Sequence, residues 1–183
     1  SAAFWLLLVP FWLWRGWRMD RNDIAGYAAG WTLIVPTWAA MVALQGWGPW
    51  LLFAAMGLVW IADIAAYFSG RAWGRHKLAP AISPGKTWEG VGGAIAGVAV
   101  YGVAATLVAG YSPPSWIPWM LLLLALTVVS IMGDLFESLI KRQAQVKDSG
   151  LLLPGHGGLL DRLDSQTSTL PLAALILASL RPS

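Results

Sequence analysis

The stretch SWIPWMLLLLALTVVSIMGDLFESLI, residues 115–140, is the longest apolar segment of this 183-residue chain. No charged side chain interrupts it before Asp134, so its length approaches the roughly 20 residues that a membrane-spanning helix needs. Asp134 and Glu137 then follow close to its end. Ionisable groups beside a lipid-facing helix are costly and mark functional sites by default. The stretch therefore predicts a membrane helix that ends at a functional site.

The chain contains five further apolar runs. The six predicted segments cover residues 2–14, 24–45, 49–69, 91–110, 115–140 and 166–180. Hydrophobic residues make up 57% of the chain and charged residues 11%, whereas about a quarter of a soluble domain is charged. The 13 Trp agree with this, since indole rings favour the membrane–water interface. We predict an all-α, multi-pass transmembrane helical bundle that forms a single domain over residues 1–183.

The basic residues are confined to alternate connections between these segments. Eleven of the 12 Lys and Arg lie there. They are Arg15, Arg18 and Arg21; Arg71, Arg75, Lys77 and Lys86; and Lys141, Arg142, Lys147 and Arg162. Alternating spans place these connections on one face of the membrane, which the positive-inside rule makes cytoplasmic. A soluble helical bundle would not segregate its charge in this way, so we expect a polar cavity that faces the cytoplasm.

The connection GRHKLAPAISPGKTWEG, residues 74–90, has the composition of a phosphate-binding turn. Its Pro-Gly pair is expected to shape a compact turn on which backbone N–H groups, the hydroxyls of Ser83 and Thr87, and Lys86 converge. The pattern is not a P-loop, because the upstream glycine is missing. An interfacial basic loop attracted to anionic lipid headgroups remains the alternative.

Two acidic clusters flank the basic and Gly-rich sequence between the last two segments. Asp134 and Glu137 are three residues apart and share a helix face, and Asp161 and Asp164 repeat that spacing before the last segment. Carboxylates from separate helices suit Mg²⁺, which prefers hard oxygen ligands and keeps water and substrate phosphate as the rest. The lack of Cys excludes thiolate ligands and nucleophiles. The clusters predict a metal–phosphate site, without deciding which member of each cluster binds.

Structural explanations for these charges stay open at this point. Salt bridges of Asp161 with Arg142 or of Glu137 with Lys141 would account for the carboxylates. Asp63 lies within a predicted span, where a carboxylate costs at least ~2.5 kcal/mol unless it meets a polar cavity or a partner. We expect Asp63 to lie in the active cavity, with a packing hydrogen bond or a shallow position as the alternatives.

His156 stands in the glycine-rich stretch PGHGG. Glycines permit a close approach of the backbone to a ligand, so a His there is placed to donate to phosphate or to act as an acid. A zinc site is not expected, since the only other His has no complementary spacing. Lys147 and Asp148 precede it and are adjacent, so they have the option of pairing with each other.

Two stretches carry a resemblance to the phosphatidate cytidylyltransferases, also known as CDP-diacylglycerol synthases. The first spans residues 138–165, and the second runs from Asp63 through AYFSGR to GRHKLAPAISPGKTWEG. The first stretch matches the family signature at every position, namely Ser138, Lys141, Arg142, Lys147, Asp148, Gly150, Leu153, Pro154, His156, Gly157, Gly158, Asp161, Arg162 and Asp164. The chain is similar to the carboxy-terminal part of bacterial members, so we expect further spans before it in the whole protein.

The resemblance implies an enzyme that transfers the CMP moiety of CTP to phosphatidic acid, giving CDP-diacylglycerol and pyrophosphate. It implies Mg²⁺ at Asp134 and Asp161, with Asp164 as a further candidate ligand and with room for a second cation. It also implies a homodimer in the bacterial inner membrane whose partners are CTP, phosphatidic acid and membrane lipid, and no nucleic acid. The active site would face the cytoplasm.

Combining the resemblance with the residues gives a set of site predictions. The catalytic candidates are Asp134, Asp161, Lys147 and His156, and the substrate-binding candidates are Asp63, Ser83, Lys86, Thr87, Lys141, Arg142, Asp148 and Arg162. Because the lipid phosphate is already ionised, catalysis is expected to rest on positioning and electrostatics. The alternatives are a CTP-dependent polyprenol kinase and a transporter with intramembrane carboxylates.

Overall fold

The computed structural model describes residues 1–15, 24–110, 113, 115–146 and 163–180. Within these ranges the chain is mostly helical. A π-helical turn, Phe4–Leu8, runs into α1 (Val9–Arg15), and the longer helices are α2 (Ile24–Trp47), α3 (Pro49–Trp73), α4 (Trp88–Val108), α5 (Trp116–Gln143) and α6 (Asp164–Leu180). Strands β1 (Lys77–Ala79) and β2 (Ser83–Thr87) lie between α3 and α4. Each of the six predicted segments therefore corresponds to a helical region.

Four of these helices, α2 to α5, are long and apolar enough to cross a membrane. The chain is accordingly a multi-pass membrane protein. Trp50 and Trp116 mark one end of the bundle, Trp73 and Trp88 mark the other, and all four side chains are exposed. Indole rings in such positions are typical of the two membrane–water interfaces. The α2–α3 and α4–α5 connections lie at the first end, and the hairpin lies at the second.

The α6 helix differs from the apolar span that the sequence predicts. It has 17 residues, and its first two turns are polar yet buried. The buried polar residues are Ser165, Gln166, Thr167, Ser168 and Thr169. This helix packs against α2, α3 and α5. Its polar turns are therefore covered by neighbouring helices, which supply hydrogen-bond partners such as the carbonyl of Val129 for the Ser168 hydroxyl, at 2.9 Å.

The prediction of an all-α fold was wrong for residues 77–87. These residues form a two-stranded antiparallel sheet with Lys77 opposite Thr87 and Ala79 opposite Ser83. The compact turn expected at residues 83–87 lies instead at residues 80–82, where the Ile82 N–H donates to the carbonyl of Ala79 at 3.1 Å. A Pro is tolerated in β2 because both strands of a two-stranded sheet are edges.

Glycines allow α3 and α4 to pack at very short range. A Cβ at Gly93 would collide with the hydroxyl of Ser69, and one at Gly97 would lie 2.7 Å from the Cβ of Ala65. Likewise, one at Gly90 would lie 3.0 Å from a carbonyl oxygen of α3. Small residues permit such close helix contacts in lipid, where packing rather than hydrophobic burial drives association. The α3–α4 pair is thus a closely packed unit that carries the hairpin at its end.

Glycine has the same role between α5 and α6. A Cβ at Gly133 would collide with the Ser168 hydroxyl and would lie 3.2 Å from the carbonyl oxygen of Asp164. Because Gly133 directly precedes Asp134, this contact brings the start of α6 next to the acidic part of α5. Further along α5, Phe136 is fully buried in an edge-to-face aromatic cluster with Phe4 and Trp5 of the amino-terminal helix.

Candidate active site

A polar cavity of about 570 Å³ lies among α3, the hairpin, the start of α4, and α5. Its polar side chains come from three of these elements. They are Asp63, Tyr67 and Arg71 of α3; Ser83, Lys86 and Thr87 of β2; and Asp134 of α5. Asp63 is ten residues before the end of α3, which at 1.5 Å per residue places it about 15 Å below the helix end. The cavity therefore reaches into the helical bundle.

An ion pair between Lys86 and Asp134 joins two walls of this cavity. Both side chains are about three-quarters buried, with exposed fractions of 22% and 28%. The Ser138 hydroxyl lies one turn further along α5 and donates to Asp134 Oδ1 at 3.4 Å. Two substrate and metal candidates predicted from distant parts of the sequence are thus brought into direct contact. Their partial burial strengthens the attraction relative to a pair in water.

Further carboxylates surround this pair. Asp134 and Asp164 both lie within electrostatic range of Asp63, and Asp164 lies against Glu137. Asp63 is exposed and lines the cavity, and its role in an active site stays a prediction. These four carboxyl groups form an acidic wall and outnumber the two ammonium groups, of Lys86 and Lys141, that pair with members of the set. Such a wall attracts cations.

Thr87 and Ser83 hold different positions on β2. Thr87 is buried, and its hydroxyl accepts a hydrogen bond from the Gly90 N–H at 3.1 Å, which caps the start of α4. Substituting a capping Thr typically costs about 1 kcal/mol. Thr87 lines the cavity but its hydroxyl has this structural role, whereas Ser83 lies on the same wall in a half-buried position.

The hairpin is fastened to α4 by hydrogen bonds between His76 and Glu89, outside the cavity. Glu89 Oε1 lies 2.7 Å from His76 Nδ1, and the same carboxylate accepts from the His76 backbone N–H at 3.3 Å. In addition, the Trp88 N–H donates to the His76 carbonyl at 2.9 Å. These bonds close the base of the hairpin, which fixes the position of the strand that bears Lys86.

Lys141 and Arg142 do not line this cavity. Lys141 pairs with Glu137 at 3.3 Å, as in one of the salt bridges considered above. Arg142 is exposed, and its Nε donates to the Ile82 carbonyl of the hairpin turn at 3.4 Å. Their substrate-binding roles stay predictions. The Arg142 contact nevertheless links the end of α5 to the hairpin.

The remaining predicted site residues lie outside the described ranges. They are Lys147, Asp148, His156, Asp161 and Arg162. Among the residues that the structure does describe, no three His, Asp or Glu side chains converge closely enough to ligate one metal ion. The predicted pairing of Asp134 with Asp161 at a metal therefore stays a prediction.

Two cavity residues, Tyr67 and Arg71, were missed by the site predictions. The stretch AYFSGR contains both, and with Asp63 they follow the spacing i, i+4 and i+8 that marks one face of a helix. That spacing was the signal available in the sequence. Arg71 Nη1 donates to the Tyr67 hydroxyl at 2.8 Å.

These features define a class of protein: a multi-pass membrane protein with a charged cavity near the ends of its spanning helices. A sequence model of the cytidylyltransferase family matches residues 1–180, and the chain belongs to that family.

Individual relatives are similar over most of this chain. A phosphatidate cytidylyltransferase of Pseudomonas aeruginosa is 47% identical over 150 residues, which is 81% of this chain and 55% of that protein. The corresponding enzyme of Haemophilus influenzae is 48% identical over 68% of this chain and 44% of its own length. That of Bacillus subtilis is 44% identical over 74% of this chain and 50% of its own length. The chain thus spans about half the length of the curated relatives it matches.

Proposed function

We propose that the protein containing this chain is a phosphatidate cytidylyltransferase, which transfers CMP from CTP to phosphatidic acid. Three relatives with that name support the proposal, with 44–48% identity to this chain. The cavity supports it independently, because this reaction must bring two anionic substrates together. The single observation that carries the proposal is the Lys86–Asp134 ion pair, which places a phosphate-binding cation beside a set of carboxylates.

The chemistry required of the site is a nucleophilic displacement at phosphorus. A phosphate oxygen of phosphatidic acid forms a bond to the α-phosphorus of CTP, and the bond from that phosphorus to the bridging oxygen breaks. The bridging oxygen and its electron pair leave with pyrophosphate. The nucleophile needs no base, because the lipid phosphate is already ionised. The protein has to align the two phosphates and to offset their charge.

Lys86 and Ser83 are the residues of β2 that we assign to the nucleotide phosphates. An ammonium and a hydroxyl on one short strand supply the donors that phosphate oxygens accept. In the present structure Lys86 is paired with Asp134, so phosphate binding would exchange one anionic partner for another. The hairpin bonds that fix β2 therefore also fix the nucleotide site.

The donor set fits Mg²⁺. Asp134 lies on the cavity wall with Asp63 and Asp164 in electrostatic range, and these hard oxygen donors are the kind that Mg²⁺ prefers. We assign Asp134 and Asp161 as the protein ligands, with Asp164 as a further candidate and room for a second cation. Bound there, Mg²⁺ would neutralise charge that develops on the phosphates.

The membrane geometry suits this pair of substrates. The basic connections place the hairpin end of the bundle at the cytoplasmic face by the positive-inside rule, where CTP is dissolved. Phosphatidic acid keeps its acyl chains in the bilayer and presents its phosphate at the same level. We infer a bacterial inner-membrane enzyme on this basis; the expected homodimer rests on the resemblance to the family.

The test uses the full-length protein in mixed micelles with phosphatidic acid, Mg²⁺ and CTP labelled at either the α- or the γ-phosphorus. We expect lipid-extractable label from α-labelled CTP, with an equal amount of pyrophosphate in the water phase. Label in the lipid from γ-labelled CTP would instead identify a kinase and overturn the proposal. If neither label enters the lipid while sealed vesicles accumulate a solute, the protein is a transporter.

A further inference from the structure

Arg71 is a cavity-lining cation to which no step above assigns a role. It lies in the last turn of α3, two turns after Asp63 and one turn after Tyr67, which line the same cavity. Its side chain is exposed, and one guanidinium N–H donates to the Tyr67 hydroxyl at 2.8 Å. This bond holds the guanidinium in one orientation without using up its charge.

The charge of Arg71 is not neutralised by any carboxylate in the described part of the chain. The ion pairs found there are Lys86–Asp134, Lys141–Glu137 and His76–Glu89, and none includes Arg71. A guanidinium has five N–H donors in a planar fork that matches two oxygens of a phosphate. With one donor on Tyr67, the others are available for an anion.

The position of Arg71 around the α3 helix favours a ligand that arrives from the bilayer. At 100° per residue, Arg71 falls between the cavity-facing pair Asp63 and Tyr67 and the pair Ile64 and Phe68. The side chains of Ile64 and Phe68 are 53% and 64% exposed, as expected of a surface that contacts lipid. Arg71 thus stands at the border between the polar cavity and the acyl-chain region.

The position along the helix places Arg71 at headgroup depth. Trp73 ends α3 and Trp88 begins α4, and their indoles are 70% and 59% exposed at this end of the bundle. Because indole rings settle at the membrane–water interface, Arg71 lies at the level of lipid phosphates. Lys86 and Ser83 lie instead on the hairpin that connects the two helices.

We propose, on the basis of the function proposed above, that Arg71, oriented by Tyr67, binds the phosphate monoester of the lipid substrate at a lateral mouth of the cavity. The hairpin then binds CTP, and Arg71 binds phosphatidic acid. Arg71 favours a monoester because a monoester carries more negative charge near neutral pH than a diester does. It also has three terminal oxygens, so one stays free to attack while two engage the fork, whereas a diester has only two.

The experiment compares Arg71→Ala with Arg75→Ala in the full-length protein. Arg75 is a suitable control because it is an exposed Arg four residues after Arg71, just beyond the end of α3, and does not line the cavity. Binding of a fluorescent short-chain phosphatidic acid in detergent is measured by anisotropy, and CTP binding by calorimetry. We expect Arg71→Ala to weaken phosphatidic acid binding about tenfold or more, as loss of a charge-assisted contact does, with CTP binding changed less than about twofold. Arg75→Ala should leave both unchanged.

Two conservative variants separate orientation from charge. Arg71→Lys keeps the charge but loses the fork, so it should recover only part of the affinity, and Tyr67→Phe should weaken binding by a smaller factor than Arg71→Ala. In steady-state assays the same variants should raise KM for phosphatidic acid more than they lower kcat. Competition by phosphatidylglycerol, a diester, should be weak in the wild type.

Several outcomes would overturn the assignment. Weaker CTP binding with unchanged lipid binding would place Arg71 in the nucleotide site. An equal loss of phosphatidic acid affinity in Arg71→Ala and Arg75→Ala, or strong competition by phosphatidylglycerol, would show that Arg71 contributes only a general attraction to anionic lipid. The binding assay needs no turnover, so it tests Arg71 even if α-labelled CTP gives no lipid product and the proposed function fails.

Discussion

Lys86 and Asp134 are paired across the cavity, one from a short strand outside the helices and the other from the longest helix of the described chain. The elements that carry the pair also contact one another: α3 packs on α4, β2 leads into α4, and α5 contacts both α4 and β2. Each partner is thereby held by a different element. Phosphate and metal candidates meet here because helix packing brings these elements together.

Replacing Lys86 should weaken nucleotide binding specifically. Lys86→Gln removes the one β2 ammonium at the cavity and is expected to lower kcat/KM for CTP about 10- to 100-fold, since hydrogen bonds to charged groups contribute about 1.5–3 kcal/mol. Lys77→Gln makes the same change at the exposed first residue of β1 and should stay within about twofold of the wild type. Equal effects of the two variants on CTP binding would show that only the net charge of the hairpin matters.

Replacing Asp134 should abolish most of the activity without unfolding the protein. Asp134→Asn keeps the shape of the side chain but removes its charge, and we expect CMP transfer to fall roughly a hundredfold or more. Binding of Mn²⁺, followed by electron paramagnetic resonance, should weaken in parallel. Near-wild-type turnover of the variant at saturating Mg²⁺ would remove Asp134 from the metal assignment.

The contact between α3 and α4 makes adjacent glycines respond differently to the same substitution. Gly93→Ala places a Cβ against the Ser69 hydroxyl and 2.9 Å from the Ala65 carbonyl, so we expect a loss of about 1–3 kcal/mol in stability. Gly92→Ala meets no atom within 4 Å and should be neutral or stabilising by about 0.5–1 kcal/mol, since Ala favours helix. Thermal unfolding in detergent measures both. Similar melting temperatures for the two variants would contradict the packing described here.

The His76–Glu89 contact should control the mobility of the hairpin. Glu89→Ala removes the acceptor of the His76 ring and backbone N–H, so hydrogen–deuterium exchange of residues 75–87 should accelerate. KM for CTP is expected to rise only about two- to fivefold with kcat little changed, because contacts between exposed side chains contribute little to stability. Unchanged exchange in this segment, or acceleration spread along the whole of α4, would exclude the fastening role.

The lengths of the apolar runs were enough to predict where the helices lie, because the thickness of the hydrocarbon core of the membrane sets the length of a spanning helix. The apolar run at residues 115–140, for example, corresponds to helix α5, Trp116–Gln143. The hairpin escaped prediction because Pro84 and Gly85 favour a turn, and the cross-strand pairing of Lys77 with Thr87 and of Ala79 with Ser83 outweighs that preference. The start of α6 was predicted to within two residues, at Gln166 instead of Asp164, but the burial of its Ser, Thr and Gln side chains depends on contacts with α2 and α5 that the sequence does not reveal.

The candidate site was predictable as a set of residue types but not as a set of partners. The sequence contains Lys86 and Asp134 in separate motifs, and only the packing of β2 against α5 makes them neighbours. For Lys141, in contrast, the partner was predictable. It pairs with Glu137 one helical turn away, and spacing alone predicts this local interaction. Arg71 was overlooked because a basic residue at a helix end is also typical of the positive-inside rule.

The glycine contacts between α3 and α4 have a mechanical consequence. Helices that fit a bilayer of changing thickness do so by tilting. Because the two helices leave little or no room for a Cβ at Gly90, Gly93 and Gly97, we expect them to tilt together, and β2 to tilt with them. Asp63 on the first helix and Lys86 on the strand then keep their separation while the membrane around them thickens or thins.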